Sequence, residues 1–277
     1  MPELPEVETV VHGLREPLVG RTIQGAIFHD KAGRMINLDP QQMSERLSGQ
    51  TVQSITRRAK YIVCQLTRDT LLVHLKMTGR LYVRPLSEGD ISDKHLRVRF
   101  PLDNETELRF SDPRKFGRVF LTADPAEILP KLGPEPLDDA FTLKMFTERL
   151  AGRKSAMKRL LLDQSFVAGI GNIYADEALY IAKIHPLRTA DTLGKAEIKR
   201  LHAAIRTVLT EGVQNEGASV NWYRKADGTR GAQQKHLRVY HDPRQEKDKR
   251  CLECSTPIAV IRVGQRGTHF CPKCQKL

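Results

Sequence analysis

No stretch of this 277-residue chain reaches the roughly 18 apolar residues of a membrane-spanning helix, so no transmembrane segment is expected. The first thirty residues carry Glu3, Glu6, Glu8, Arg15 and Glu16 and no apolar core of a secretory signal, which makes a cytosolic protein the expectation. Internal repeats and low-complexity stretches are absent. Cysteine is scarce: there are five, and four stand in two CxxC pairs, which in a cytosolic protein suggests metal rather than disulfides. Acidic residues are in the minority, 33 against 45 Lys plus Arg, for a net charge of +12. The excess is uneven, because Trp222 to Leu277 holds 13 basic and 5 acidic residues. A basic C-terminal segment points to a polyanion, with nucleic acid the leading candidate.

The length allows two domains with separate cores. Glu6 to Val19 reads as an amphipathic helix with Val7, Val10, Val11, Leu14 and Leu18 on one side and Gly20 as its stop. Strand patterns follow at Thr22–His29, Val52–Arg57, Tyr61–Thr67, Leu71–Leu75, Leu96–Phe100, Glu107–Phe110 and Gly117–Leu121. One helix and many strands suggest a β-sandwich-like N-terminal domain, with Cys64 an ordinary core thiol. Asp124 to Asp139, with four prolines and Gly133, reads as a hinge. Helical periodicity then covers Phe141–Leu150, Ser155–Asp163, Asn172–Ile181 and Leu193–Val213. Glu216 to Lys235 carries three glycines and no periodicity, and a mobile loop is expected. A β-rich module bearing cysteines closes the chain.

Four groups of residues carry chemistry. Met1-Pro2-Glu3 offers, once Met1 is trimmed, a secondary amine beside a carboxylate. An α-amino group titrates at about 7.7–8.0, so a useful fraction is neutral and nucleophilic at neutral pH. A poorly ordered terminus is the alternative. Cys251-x2-Cys254-x16-Cys271-x2-Cys274 suits a closed tetrahedral structural zinc site without an open catalytic position. Strands around Ile258–Val263 and His269–Phe270 would form a hairpin with its turn at Gly264-Gln265-Arg266-Gly267. That turn puts Arg266 at an exposed tip, where a guanidinium can pair with a phosphate or stay solvated. Val167 to Tyr174 is a glycine-bearing turn feeding a helix whose first N–H groups favour an anion, within reach of Lys158. Finally, Lys60, His74, Met77, His95 and the run Asp112-Pro113-Arg114-Lys115-Phe116-Gly117 lie in the strand region. An apolar side chain and an arginine at a sheet rim are what base flipping needs, although Met and Phe are more often core residues.

These residues resemble one family along the whole chain. Pro2 to Thr9, Arg58-Ala59-Lys60-Tyr61, Asp112 to Gly117, Gly169 to Tyr174 and the Arg266-to-Cys274 segment match the formamidopyrimidine-DNA glycosylase and endonuclease VIII family. The resemblance implies an α+β multidomain protein. Residues 1–123 would be a catalytic β-sandwich domain with a leading helix, and 124–140 a linker. A helical domain with a helix–two-turns–helix motif at 141–235 would include a lesion-capping loop at 217–235, and 236–277 would be a four-cysteine zinc finger built on a β-hairpin. DNA would lie across the cleft between the domains.

By matching positions, Pro2 resembles the Schiff-base nucleophile, Glu3 the proton donor, Lys60 the proton donor in β-elimination and Arg266 the residue of δ-elimination. His74, His95, Arg114, Arg153, Lys158 and Asn172 resemble DNA-binding positions. Met77, Arg114 and Phe116 resemble the side chains that fill the void of an extruded base. The resemblance implies one structural Zn2+ on Cys251, Cys254, Cys271 and Cys274, a monomer, and damaged duplex DNA as partner. The implied activity is bifunctional: removal of 8-oxoguanine and formamidopyrimidines, then β,δ-elimination, in bacterial base-excision repair. The alternatives are an endonuclease VIII-like enzyme preferring oxidised pyrimidines and a zinc-dependent DNA-binding protein without catalysis. Two features depart from the family pattern. Trp222 stands where an acidic residue is expected, and the His241–Arg250 entry to the zinc module is longer, more charged and lacks the usual Gly.

Overall fold

Helix α1, Leu4–Leu18, starts on Pro5 in its first turn, where a missing N–H costs nothing, and buries Val7, Val10, Val11, Leu14 and Leu18 along one face. That face packs on two antiparallel sheets. One has the strand order β1-β3-β4-β5-β9, with β1 Thr22–Ile23, β3 Gln50–Arg58, β4 Tyr61–Leu66, β5 Thr70–His74 and β9 Arg118–Thr122. The other runs β2-β7-β8-β6, with β2 Ile27–Phe28, β6 Arg80–Pro85, β7 Leu96–Pro101 and β8 Thr106–Ser111. Side chains from both sheets and α1, among them Ile55, Ile62, Val73, Val98, Phe100 and Phe110, make one apolar core. Cys64 belongs to it, and burial pushes its thiol up to about 12, so it is an inert core residue.

The computed structural model describes every residue except 30–33, 90–92, 130, 243–245 and 247. Pro130 of the expected linker, and Pro243, Arg244, Gln245 and Lys247 of the charged entry to the zinc module, therefore lie outside the described residues. The expected strand Thr22–His29 divides into β1 and β2, which pair with different sheets, because Gly25 between them takes φ +147°. Helix α2, Pro40–Leu47, is an addition to the elements read from the sequence. Its signal is local: Asp39 accepts N–H bonds from Gln41 and Gln42, and Pro40 occupies the first turn.

The chain divides into two compact units, Met1–Pro130 with Glu216–Gly231, and Lys131–Asn215 with Ala232–Leu277. The loop after residue 215 thus groups with the sheets, whereas the sequence reading places 217–235 with the helices. The second unit holds α3 Leu143–Leu150, α4 Met157–Leu162, α5 Asn172–Ala182 and α6 Lys195–Gln214. Helix α5 is buried on nearly every side, and α6 covers it with Ile198, Leu201, Ile205, Val208 and Leu209. The hairpin of β10 Ala259–Val263 and β11 Arg266–Phe270 completes this unit. No helix among the described residues is long and apolar enough to cross a membrane.

Candidate active site and nucleic-acid interface

In the first unit, Pro2 and Glu3 are buried at the head of α1, and Glu3 is the residue that caps the helix. The Glu3 carbonyl accepts the first helical N–H, from Val7, at 3.1 Å. Lys60, 4 % exposed, sits at the tight turn between β3 and β4, where Ala59 takes φ +53°. Arg57 ties this turn to α1: its Nε donates to Glu8 at 2.8 Å and its Nη1 to the Ala59 carbonyl at 3.0 Å. The helix that carries Pro2 and the turn that carries Lys60 are therefore held by one guanidinium.

His74 ends β5, pairs with Tyr61 on β4 and meets the Tyr61 ring edge-on at 4.6 Å. The Lys76 N–H donates to its Nδ1 at 3.0 Å, which leaves the ring proton on Nε2. Burial, reinforced by the positive charges of Lys76, Lys60 and Arg118, holds its pKa down at about 3. At neutral pH His74 is therefore an uncharged ring with an Nε2–H donor rather than a cation.

Met77, Arg114 and Phe116 come together at the rim of the sheets. An Nη1 of Arg114 lies 3.2 Å from the Met77 sulfur, and its guanidinium stands over the Phe116 ring at 4.7 Å. Met77 is 40 % and Phe116 46 % exposed, so the core reading of these two residues is set aside. What holds them out is Asp112, itself fully buried. Its carboxylate accepts the Arg114 N–H at 3.2 Å, the Gly117 N–H at 2.8 Å and the Thr78 hydroxyl, so it joins the Met77 turn to the Arg114–Phe116 turn. His95 is attached to the same place, since its carbonyl accepts the Asp112 N–H at 2.9 Å. Gly117 is obligatory in this turn: a Cβ there would stand 2.4 Å from the Phe110 ring. Asp112 has no assigned role in the sequence reading, though an Asp before a Pro-led turn is a known turn organiser.

In the second unit, Gln164 shapes the glycine turn before α5 by accepting the Gly169 N–H at 3.0 Å and donating to the Ile170 carbonyl at 2.8 Å. Lys158 differs from the accessible cation that a phosphate ligand supposes. Its side chain is wholly buried, and Nζ donates to Asp176 at 2.5 Å and to the Asn172 carbonyl at 2.9 Å. An ammonium taken this far from water needs such a partner, which explains the inward direction. The other oxygen of Asp176 accepts both the backbone N–H and the Nδ1 of His269 at 3.0 Å. Asn172 reaches the same hairpin, donating to the Gly267 carbonyl at 2.9 Å. Buried Asp176 thus joins α4, α5 and β11, a role with no local sequence signal. Arg153 is exposed in the turn after α3, and Arg266 is exposed as the first residue of β11. The hairpin turn is tighter than expected, two residues rather than four, because Gly264 takes φ +60° and Val263 pairs directly with Arg266.

Among the described residues, Cys251, Cys254, Cys271 and Cys274 form the one cluster fit for a metal ion, with their sulfurs within 4.8 Å of one another. Tetrahedral zinc with bonds of about 2.3 Å spaces its thiolates about 3.8 Å apart. The sulfurs of Cys251 and Cys274 are 3.8 Å apart, and Cys254 lies 3.5 Å from both Cys271 and Cys274. The residues fit zinc, all four positions would be protein thiolates, and the ion would be structural. Tyr180 of α5 places its hydroxyl 3.3 Å from the Cys251 sulfur, so the metal module and α5 share a packed core.

Three family models cover the chain in succession: the formamidopyrimidine-DNA glycosylase N-terminal domain over residues 1–119, the formamidopyrimidine-DNA glycosylase H2TH domain over 132–224, and the zinc finger found in FPG and IleRS over 248–277. The formamidopyrimidine-DNA glycosylase of Herpetosiphon aurantiacus is 45 % identical over 99 % of this chain and all of its own length. That of Listeria monocytogenes is 41 % identical over the full length of both. The solved structure of a Lactococcus lactis FPG mutant in complex with Fapy-dG containing DNA matches with a TM-score of 0.90 at 35 % identity, covering both chains completely. MutM in complex with carbocyclic 8-oxo-G containing DNA matches with a TM-score of 0.89 at 35 % identity, again over both chains. With its sheets, helices and four-cysteine hairpin in the order these models require, the chain belongs to the formamidopyrimidine-DNA glycosylase family.

Proposed function

We propose that this protein excises oxidised purines from duplex DNA and then cleaves the strand, with Pro2 as the nucleophile. The observation that carries this reading is the buried Pro2–Glu3 pair at the head of α1, with the Lys60 turn fastened to the same helix through Arg57 and Glu8. The relatives' names and the DNA in the matched structures, which contains Fapy-dG or 8-oxo-G, support purine lesions as substrate.

Once Met1 is removed, the Pro2 nitrogen is a secondary amine. It attacks C1′ of the damaged nucleotide, the N-glycosidic bond breaks, and the base leaves with a proton. Glu3 protonates the ring oxygen O4′ as the sugar opens, giving an iminium between Pro2 and C1′. The iminium draws electrons from C2′, so loss of a C2′ proton expels the 3′ phosphate. Lys60 serves this β-elimination as proton donor. A second elimination, served by Arg266, expels the 5′ phosphate, and water releases the sugar fragment and restores Pro2. The products are a free base and a one-nucleotide gap with phosphate at both ends. Once the damaged nucleotide is bound, attack by Pro2 is effectively intramolecular, and the shared helix end keeps the Glu3 carboxylate beside the amine for proton transfer.

Met77, Arg114 and Phe116 are the wedge that occupies the vacated stack, presented by Asp112. His74, His95, Arg153 and Asn172 contact the DNA, while Lys158 braces the first turn of α5 from inside. The four cysteines hold a single zinc ion that shapes the Arg266 hairpin and takes no part in bond breaking. We place the protein in the bacterial cytoplasm, at the nucleoid, through its DNA affinity.

Borohydride reduction with abasic duplex DNA tests the reading. A covalent adduct at Pro2 is expected, and Pro2→Gly loses most of it; a wild-type protein that forms no adduct sinks the proposal. The active form begins at Pro2, because an uncleaved Met1 turns the nitrogen into an amide. Intact-mass analysis showing Met1 retained in active protein contradicts this.

A further inference from the structure

Helix α1 carries a carboxylate for which the chemistry above has no use. Glu6 is 2 % exposed, and its two oxygens serve different segments. Oε2 accepts the Glu3 N–H at 2.8 Å, and Oε1 accepts the Ala218 N–H at 2.7 Å, across 212 residues of sequence. Bonds from amides to a charged carboxylate are among the stronger hydrogen bonds, and this carboxylate cannot rotate without losing one of them.

The loop is cut to fit this contact. A Cβ on Gly217, which takes φ +79°, would lie 2.9 Å from both Glu6 Cγ and the Tyr223 ring. A Cβ on Gly231 would lie 2.2 Å from the carbonyl oxygens of Glu216 and Gly217, so the neck of the loop admits no side chain. Inside it, Ser219 accepts the Gly231 N–H at 3.0 Å and donates to the Tyr223 carbonyl at 3.1 Å, while the Tyr223 hydroxyl donates to the Glu216 carbonyl at 3.1 Å. Two turns along α1, a Cβ on Gly13 would lie 3.1 Å from Ala226 Cβ, so one face of the helix seats the loop at two points. Glu216–Gly231 is thus a closed, internally bonded loop of the Ω type, unlike the mobile loop expected from its glycines. At its outer turn the chain's single Trp, Trp222, is 61 % exposed and offers a face on which a base can stack.

We propose that Glu6 is a positioning residue that couples this loop to the Pro2–Glu3 terminus, so that one carboxylate orders both the surface that meets the base and the groups that react. The proposal rests on the assignment of Pro2 and Glu3 above. In Glu6→Gln the side-chain amide must turn its NH2 toward one of the two N–H donors, and one bond is lost. Hydrogen exchange of peptides spanning 216–223 then accelerates by about tenfold or more, in line with loss of a bond that holds a locally stable segment.

In single-turnover assays Glu6→Gln lowers both release of 8-oxoguanine and borohydride trapping on an abasic duplex, with DNA affinity within about threefold of wild type. Gly217→Ala presses on Glu6 Cγ as well as on the Tyr223 ring, so it breaks the same contact from the loop and lowers base release. The double variant is no slower than Glu6→Gln by more than about threefold, because both changes break the same connection. Unchanged exchange at 216–223 in Glu6→Gln, Gly217→Ala with normal base release, or a double variant that loses the product of the two single losses each overturns the coupling. Failure of the wild type to trap abasic DNA removes the role of Pro2 instead, and the exchange measurement still decides whether Glu6 holds the loop.

Discussion

His74 shows how a single residue changes meaning with its surroundings. By type it is a cation near pH 6, yet burial and the charges of Lys76, Lys60 and Arg118 hold its pKa at about 3. Between the ordinary value of 6.5 and 3 the unfolded chain binds a proton that the folded chain does not. His74 is therefore without cost to stability above pH 6.5 and destabilises the fold progressively as the pH falls from there toward 3. The slope approaches about 1.4 kcal/mol per pH unit. Denaturant unfolding at pH 7, 5 and 4 is expected to show a smaller loss in His74→Gln than in the wild type; equal losses contradict the assignment. The same reasoning separates Lys158 from Arg266: both are basic, but one ammonium is spent on Asp176 and the other side chain is exposed.

At the scale of elements, Asp176 is the joint on which the helical unit turns. It receives Lys158 from α4 and His269 from β11, and none of the three has a solvent-facing alternative. Removing one member of a buried pair leaves the other charge unpaired, at a cost of about 3–5 kcal/mol. Asp176→Ala is expected to lower unfolding stability by about that amount and to loosen the Arg266 hairpin, seen as faster hydrogen exchange in residues 264–270. A variant as stable as the wild type contradicts the joint. The elements themselves follow from local rules. Helices α1, α5 and α6 match their apolar periodicity to within about two residues. Helix α2 was legible in Asp39-Pro40, and β6 was obscured because Arg80-Leu81-Tyr82-Val83-Arg84 mixes charged and aromatic residues on one face. That face makes sense only with neighbours: both guanidinia lie over the Tyr82 ring.

For the whole molecule, the uneven charge and the metal site make two claims. Chelating zinc removes the restraint on the Arg266 hairpin and is expected to abolish DNA binding at temperatures where the N-terminal sheets remain folded. Equal DNA affinity with and without metal contradicts this. Several phosphate contacts release several counterions, so log K is expected to fall with log salt at a slope of about −0.9 for each phosphate neutralised. Arg266→Ala should make that slope shallower by about one, and a flat wild-type curve argues against phosphate contacts altogether.

The zinc ligands, the α+β order, the boundaries of α1, α5 and α6 and the identity of Pro2, Glu3 and Lys60 as candidates were determined by the sequence alone. Each depends on residue type and short spacing, and chemistry of that kind is written locally. Only the tertiary structure decided which charges face inward and which loops are held. Asp112, Asp176 and Glu6 join segments 18 to 212 residues apart through buried carboxylates, and no periodicity or motif encodes such pairings. They arise where packing removes water, because a desolvated carboxylate must find donors wherever the fold brings them.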